Sequence, residues 1–132
     1  MRVTINRAEL LYAVQCAASI APSSSPIKEM TATLLETDAA SGTLTVTATN
    51  MELSLEQKLP CVSCDEDALA VPARLLAAMV EKLPEDKVEL SRSGRSPQLC
   101  LRSGETEYTV SIFEKGSFPK PAIPFPEDTV PV

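Results

Sequence analysis

The feature that most constrains the fold of this 132-residue chain is an internal repeat: a strand, a helix and three strands, met twice within residues 1–113. In the first copy, Val3 and Ile5 alternate with polar neighbours, as in a short strand. Asn6 reads as a helix N-cap, with Glu9 three residues on as in a capping box. From Arg7 the apolar positions Leu10, Leu11, Val14, Ala17 and Ala18 recur at helical spacing, which predicts a helix to about Ile20, before Pro22. A loop at Ser23-Ser24-Ser25-Pro26 leads to three strands. Leu34 and Leu35 lie in the first of these. Thr43-Leu-Thr-Val-Thr-Ala-Thr49 alternates strictly in the second, and Met51, Leu53 and Leu55 alternate in the third.

The second copy keeps that order. Ala68-Leu-Ala-Val71 reads as a strand and Pro72 as a helix start. Arg74 to Leu83 carries Leu75, Leu76, Met79, Val80 and Leu83 at helical spacing, and Pro84 ends it. Val88 with Leu90, Leu99 with Leu101, and Tyr108 with Val110 and Ile112 mark three more strands. Ser93-Gly94 and Ser103-Gly104 supply the turns. Each helix has one apolar stripe to bury against sheet, so the class is α+β. The repeats span residues 1–60 and 66–113 of a domain covering 1–118. Residues 119–132, rich in proline, read as a linker that cannot continue a sheet interior, followed at Thr129–Val132 by the start of a further domain cut short.

Composition narrows the chemistry. Aromatics make up 4% of the chain and Trp is absent, so the core must come from Leu, Val, Ile, Ala and Met. There is no His, which removes the commonest general base and zinc ligand and forbids any Ser–His–Asp or Cys–His arrangement. Cys61 and Cys64 have C-x-x-C spacing, but Cys16 and Cys100, the only other thiols, lie inside apolar patterns; reduced, incidental thiols are the expectation, with no metal and no cofactor. The acidic run Asp65-Glu66-Asp67 is the best candidate for acid–base work, and reads rather as a solvated loop. No apolar run approaches a membrane span and the N-terminus lacks a signal peptide's apolar stretch, so a cytoplasmic protein without membrane contact is expected.

Net charge is −6, which argues against bulk attraction to nucleic acid. The charge is unevenly distributed, however. The two predicted helices hold Arg7, Arg74 and Lys82 against Glu9 and Glu81, a net of +1; the rest of the chain holds nine basic and sixteen acidic residues.

The order and spacing of several segments resemble the bacterial DNA polymerase III beta subunit, the sliding clamp, in its N-terminal domain. Met1-Arg-Val-Thr-Ile-Asn-Arg with Leu10-Leu11 is similar to the family's opening, and Thr43-Leu-Thr-Val-Thr-Ala-Thr-Asn-Met-Glu52 to its central strands. Val71-Pro-Ala-Arg74 before Leu83-Pro84 is similar to its second helix. Leu101-Arg-Ser-Gly104 and Ser117-Phe-Pro119 are similar to its closing strands.

The resemblance implies a non-catalytic processivity factor. Three such domains per subunit and two subunits head to tail would close a ring around duplex DNA, with helices lining the hole and sheets outside. Implied partners are duplex DNA without sequence preference, a second clamp subunit, and a polymerase and clamp loader met through domains beyond this one. The implied DNA-facing residues are Arg74, Arg7, Lys82, Lys28 and Ser24. The implied subunit interface holds Tyr108, Val110, Glu105, Glu107 and Leu75. The chain departs from the family at Tyr12, where clamps commonly carry a basic residue, at the Ser23-Ser24-Ser25 loop, and at Glu105 and Glu107, where basic residues are usual. A stand-alone interaction module that forms no ring is the alternative reading, with an enzyme built on the acidic run or the cysteine pair as a further rival.

Overall fold

A computed structural model describes residues 1–22, 31–50, 53–63, 65–94 and 96–114. The first copy of the repeat gives β1 (Arg2–Asn6), α1 (Arg7–Ile20), β2 (Ala32–Asp38), β3 (Thr43–Thr49) and β4 (Ser54–Pro60), followed by a short β5 (Val62–Ser63). The second gives β6 (Asp67–Pro72), α2 (Ala73–Glu81), β7 (Lys87–Ser91), β8 (Gln98–Ser103) and β9 (Thr106–Ser111), followed by a short β10 (Phe113–Glu114). The fold is α+β, and every strand pair is antiparallel. Neither β5 nor β10 was expected, because at two residues each they are too short for alternation to show.

The strands form two five-stranded sheets, ordered β5-β1-β7-β8-β9 and β10-β6-β2-β3-β4. Each copy lends its first strand to the triplet of the other. β1 pairs with β7, Val3 opposite Leu90 and Ile5 opposite Val88. β6 pairs with β2, Leu69 opposite Leu35 and Val71 opposite Thr33. The copies therefore cannot be separated into two bodies without breaking both sheets.

The alternating strands turn one face inward. Val3, Ile5, Leu35, Leu44, Val46, Leu69, Val71, Leu90, Leu99 and Leu101 join Leu10, Val14 and Ala17 of α1 and Leu76, Met79 and Val80 of α2 in one core. Burying each large side chain contributes roughly 1.5–3 kcal/mol, so the two helix stripes account for much of what joins the layers. On the outer face of the second sheet, Ala32, Leu34 and Ala70 form a smaller cluster beneath Phe113 of β10.

α1 has the bounds its periodicity predicts, and Asn6 Oδ1 accepts from the Glu9 N–H at 3.0 Å. Three expectations need correction. α2 ends at Glu81, although Leu83 beyond it is still buried. Leu75 does not join the buried stripe: the helix turns Leu76 and Val80 inward with Ala73, leaving Leu75 48% exposed. Leu53 is 56% exposed rather than buried, because β4 begins at Ser54; Asn50 and Leu53 are instead joined by two hydrogen bonds, Leu53 N–H to Asn50 Oδ1 at 2.7 Å and Asn50 N–H to Leu53 O at 3.1 Å.

Candidate nucleic-acid interface

The two helices lie side by side and antiparallel, the start of α1 against the end of α2. Arg7, the first residue of α1, donates from Nε to Val80 O at 3.2 Å and from Nη2 to Glu81 O at 2.5 Å. Its backbone N–H donates to Asp86 O at 2.7 Å. With their apolar stripes turned to the sheets, the helices present a joint outward face. On α1 this face carries Ala8, Glu9, Tyr12, Gln15 and Ser19, with the Glu9 carboxylate in the first turn its one charge. On α2 it carries Arg74, Leu75, Ala78, Glu81 and Lys82. An open cleft of about 340 Å3 runs between them, lined by Gln15, Ala18 and Ser19 on one side and Arg74, Ala77 and Ala78 on the other, with Glu81 beside it.

Of the cations implied to face DNA, Arg74 is exposed in the first turn of α2, and Lys82 is exposed at the C-cap of the same helix. Arg7 is partly buried, its guanidinium hydrogen-bonded to the α2 carbonyls. Lys28 and Ser24 lie outside the described residues, as do residues 119–132, implied to form the linker.

The terminal strand of the first sheet is β9, reached from β8 through a two-residue turn in which Gly104 adopts φ 58°, a conformation open to glycine. Here the expected interface changes. Val110 and Tyr108 stand opposite Leu99 and Leu101, all on the inner face, and Val110 is only 5% exposed. The Val110 side chain therefore belongs to the core and is not available to a partner; Tyr108 is partly buried against the same core. The outward side chains are Glu107, Thr109 and Ser111, with Glu105 exposed in the turn.

Glu107 is matched within the chain. It stands opposite Arg102 on β8, and Arg102 donates to Glu107 Oε2 from Nη2 at 2.6 Å and from Nε at 3.1 Å. The Arg102 hydrogen bond, then one from Cys100, then the Arg102 charge hold the Glu107 carboxyl below its ordinary range. The turn falls at Gly104-Glu105, one residue beyond the expected Ser103-Gly104, and this sets residue 102 opposite 107 rather than opposite 105.

The rival chemistry fares differently in three dimensions. Asp65 and Asp67 are not a free acid pair: the Met1 ammonium lies 3.3 Å from Asp65 Oδ2 and 2.9 Å from Asp67 Oδ2. Arg92, with its side chain only 3% exposed, sits 3.6 Å from Asp67 Oδ1 and 2.8 Å from Glu114 Oε1. Burial pushes the Asp67 carboxyl up. Hydrogen bonds from the terminal ammonium and the Ala68 N–H, with the charges of the ammonium and Arg92, outweigh burial and hold it below its ordinary value. Such a group stays ionised at neutral pH and is poorly suited to exchanging protons there. No local signal in the sequence marks Arg92 for this role, because its partners come from the chain start, β6 and β10.

Burial raises the Cys61 thiol, and burial with the neighbouring Glu107 raises that of Cys100, the opposite of thiolate activation. Cys64 lies outside the described residues. Among the described residues no group of three or more Cys, Asp or Glu could hold a metal ion, and no helix is long and apolar enough to cross a membrane.

Comparison with known proteins agrees with this architecture. The family described as DNA polymerase III beta subunit, N-terminal domain, matches residues 1–124. The beta sliding clamp of Streptomyces coelicolor is 30% identical over 132 residues, covering 99% of this chain and 34% of its own length. That of Chlamydia pneumoniae is 28% identical over 120 residues, covering 90% and 32%. The DNA polymerase sliding clamp of Caulobacter crescentus superposes with a TM-score of 0.85 at 27% identity, over 93% of this chain and 33% of that one. A Pseudomonas aeruginosa sliding clamp gives 0.85 at 23%, over 94% and 33%, a likeness of fold. The chain thus spans about a third of the length of the relatives it matches. With its two helices backed by two exchanged sheets and its matched residues running through nearly the whole sequence, the chain belongs to the family of DNA polymerase III beta subunit N-terminal domains, whose members are non-catalytic.

Proposed function

We propose that this chain is the first domain of a ring-shaped sliding clamp that encircles duplex DNA and tethers a replicative polymerase in the cytoplasm. Two such subunits would close head to tail, and the polymerase and clamp loader would bind through further domains. Retention on DNA would then be topological: a closed ring cannot leave sideways, so contacts need only be weak and indifferent to sequence. Attraction to phosphates meets that need, having nearly the same energy at every register along the duplex.

The observation that carries this reading is the sorting of charge by layer. The outward face of the helix pair carries Arg74 and Lys82 against Glu9 and Glu81, with Arg7 partly buried at its edge, so it is close to neutral in a strongly acidic chain. Carboxylates are concentrated elsewhere, in the sheets and their connections: Glu36, Asp38, Glu56, Asp65, Glu66, Asp67, Glu89, Glu105, Glu107 and Glu114. A protein of net charge −6 can approach a polyanion only by such a face.

Arg74 is the leading DNA-facing residue and Lys82 the next. In a protein carrying the remaining domains, Arg74→Ala should weaken DNA contact equally on unrelated sequences and lower the slope of log affinity against log salt by about one. An unchanged slope and unchanged loading would remove the helix pair from the DNA-facing surface.

A further inference from the structure

α2 is poorly equipped to hold its own ends. It has nine residues, no side-chain hydrogen bond at its N-cap Pro72, no acidic residue in its first turn and no basic residue in its last. The last carbonyls of any helix have no donor within it and carry the negative end of its dipole. Glu81, at that end of α2, adds a carboxylate of the unfavourable sign.

Lys82 at the C-cap adds a cation on an exposed side chain, but the side-chain donors to those carbonyls come from the other helix. Arg7 places its guanidinium on two of those carbonyls, Val80 O at 3.2 Å and Glu81 O at 2.5 Å, while its own N–H reaches Asp86 O at 2.7 Å in the connection that follows. Two hydrogen bonds from Arg7 thus join the beginning of α1 to the end of α2, and a third joins it to the connection beyond.

We infer that Arg7 is a positioning residue that caps α2 in trans and fixes the angle at which α2 presents its outward face beside α1. The consequence for DNA rests on the function proposed above: Arg7 acts by holding Arg74 and Lys82 in place rather than by meeting phosphate itself. The cap does not rest on it. The planar fork of arginine can serve two carbonyls at once, whereas a lysine offers a single point of charge, so Arg7→Lys should preserve only part of the effect.

Amide hydrogen exchange on the 132-residue chain tests this without DNA. The reporters are Lys82 and Leu83, whose N–H groups donate to Met79 O and Val80 O at 3.1 and 3.2 Å. Arg7→Gln should accelerate exchange at both by about fivefold, the scale of one charge at a helix end, and Arg7→Lys by less. The amides of β3, in the interior of the second sheet, should be unaffected. A cation supplied by α2 itself should compensate: Ala78 is exposed in its last turn, so Ala78→Lys added to Arg7→Gln should slow the two reporters again.

Unchanged exchange at Lys82 and Leu83, or the same acceleration there and in β3, would overturn the inference; the second result would make Arg7 a global stabiliser only. Should Arg7→Gln not fold, Arg7→Lys with and without Ala78→Lys gives the same comparison. Failure of the cap leaves the Arg74 salt slope untouched, and failure of that slope leaves the cap untouched, so the two readings are tested separately.

Discussion

Arg92 lies just past the end of β7 in the first sheet, and its Nη2 meets Glu114 Oε1 on β10 of the second sheet at 2.8 Å. The guanidinium is 3% exposed and the carboxylate 61%, so the two ends of the pair differ in their access to water. Arg92 also donates from Nε to Ser96 O at 2.8 Å and approaches Asp67 at 3.6 Å. Removing the buried member should therefore cost far more than neutralising the exposed one. We expect Arg92→Met to destabilise by about 2 kcal/mol, through the weakened charge balance at Asp67 and the lost sheet-to-sheet link, and Glu114→Gln by less than about 1 kcal/mol. Urea denaturation of the two variants measures both; equal losses would mean that Arg92 does not join the sheets.

Acid should weaken the same corner. The Asp67 carboxyl is held below its ordinary value of 3.8, so it binds a proton less readily in the folded chain than in the unfolded one. Its contribution is complete above that value and is lost as pH falls through the lower folded one. The denaturation midpoint, followed from pH 6 to pH 2, should fall below about pH 4 in the parent chain and fall less in Asp67→Asn, which starts lower at neutral pH. Parallel curves would show that Asp67 is not a source of the acid sensitivity.

Gln57 offers a gain instead of a loss. It stands opposite Val46 on the inner face, between Leu55 and Leu59, and its Oε1 is buried with no hydrogen-bond partner among the described residues. A buried acceptor stripped of water costs about 1–3 kcal/mol. Gln57→Met keeps the length of the side chain and removes the acceptor, and should raise stability by about 1 kcal/mol in a chemical denaturation experiment.

At the edge strand, the inward residue and its outward neighbour should behave differently. Val110→Asp puts a charge in the core and should cost about 3 kcal/mol or more, visible as lost secondary structure by circular dichroism before any effect on association can be read. Thr109→Asp points outward and should leave the fold intact. The chain by itself should be a monomer by light scattering, because the interface proposed for β9 is heterologous and needs a different domain opposite it. In a protein carrying the remaining domains, Thr109→Asp should weaken the dimer. A concentration-independent dimer of the 132-residue chain would mean that its association surface lies elsewhere.

Local pattern accounts for what the sequence determined. Alternation in β1, β3 and β8, the 3.6-residue stripe of α1, the Asn6 cap and the turn at Gly104 all depend on residues within a few positions of one another. They specify which elements form and which face each buries. Doubling of that pattern made the class readable, and the order and spacing of segments such as Thr43–Glu52 and Val71–Arg74 carried the resemblance to the family. The candidate cations Arg74 and Lys82 were legible for the same reason, because they stand on a helix whose buried stripe can be counted.

Tertiary structure decided what local pattern cannot encode. The exchange of first strands joins Ile5 to Val88 and Thr33 to Val71, and alternation names no partner across such separations. Leu75 and Leu76 are equivalent as sequence, yet the direction of the sheets beneath α2 buries one and exposes the other. Val110 became core and Thr109 surface when β9 paired with β8 in one register, since a shift of one residue would have reversed them. The roles of Arg7 and Arg92 are of the same kind. An arginine becomes a cap or a link between sheets only when distant backbone and carboxylates are brought to it, and that depends on packing, not on its neighbours in the chain.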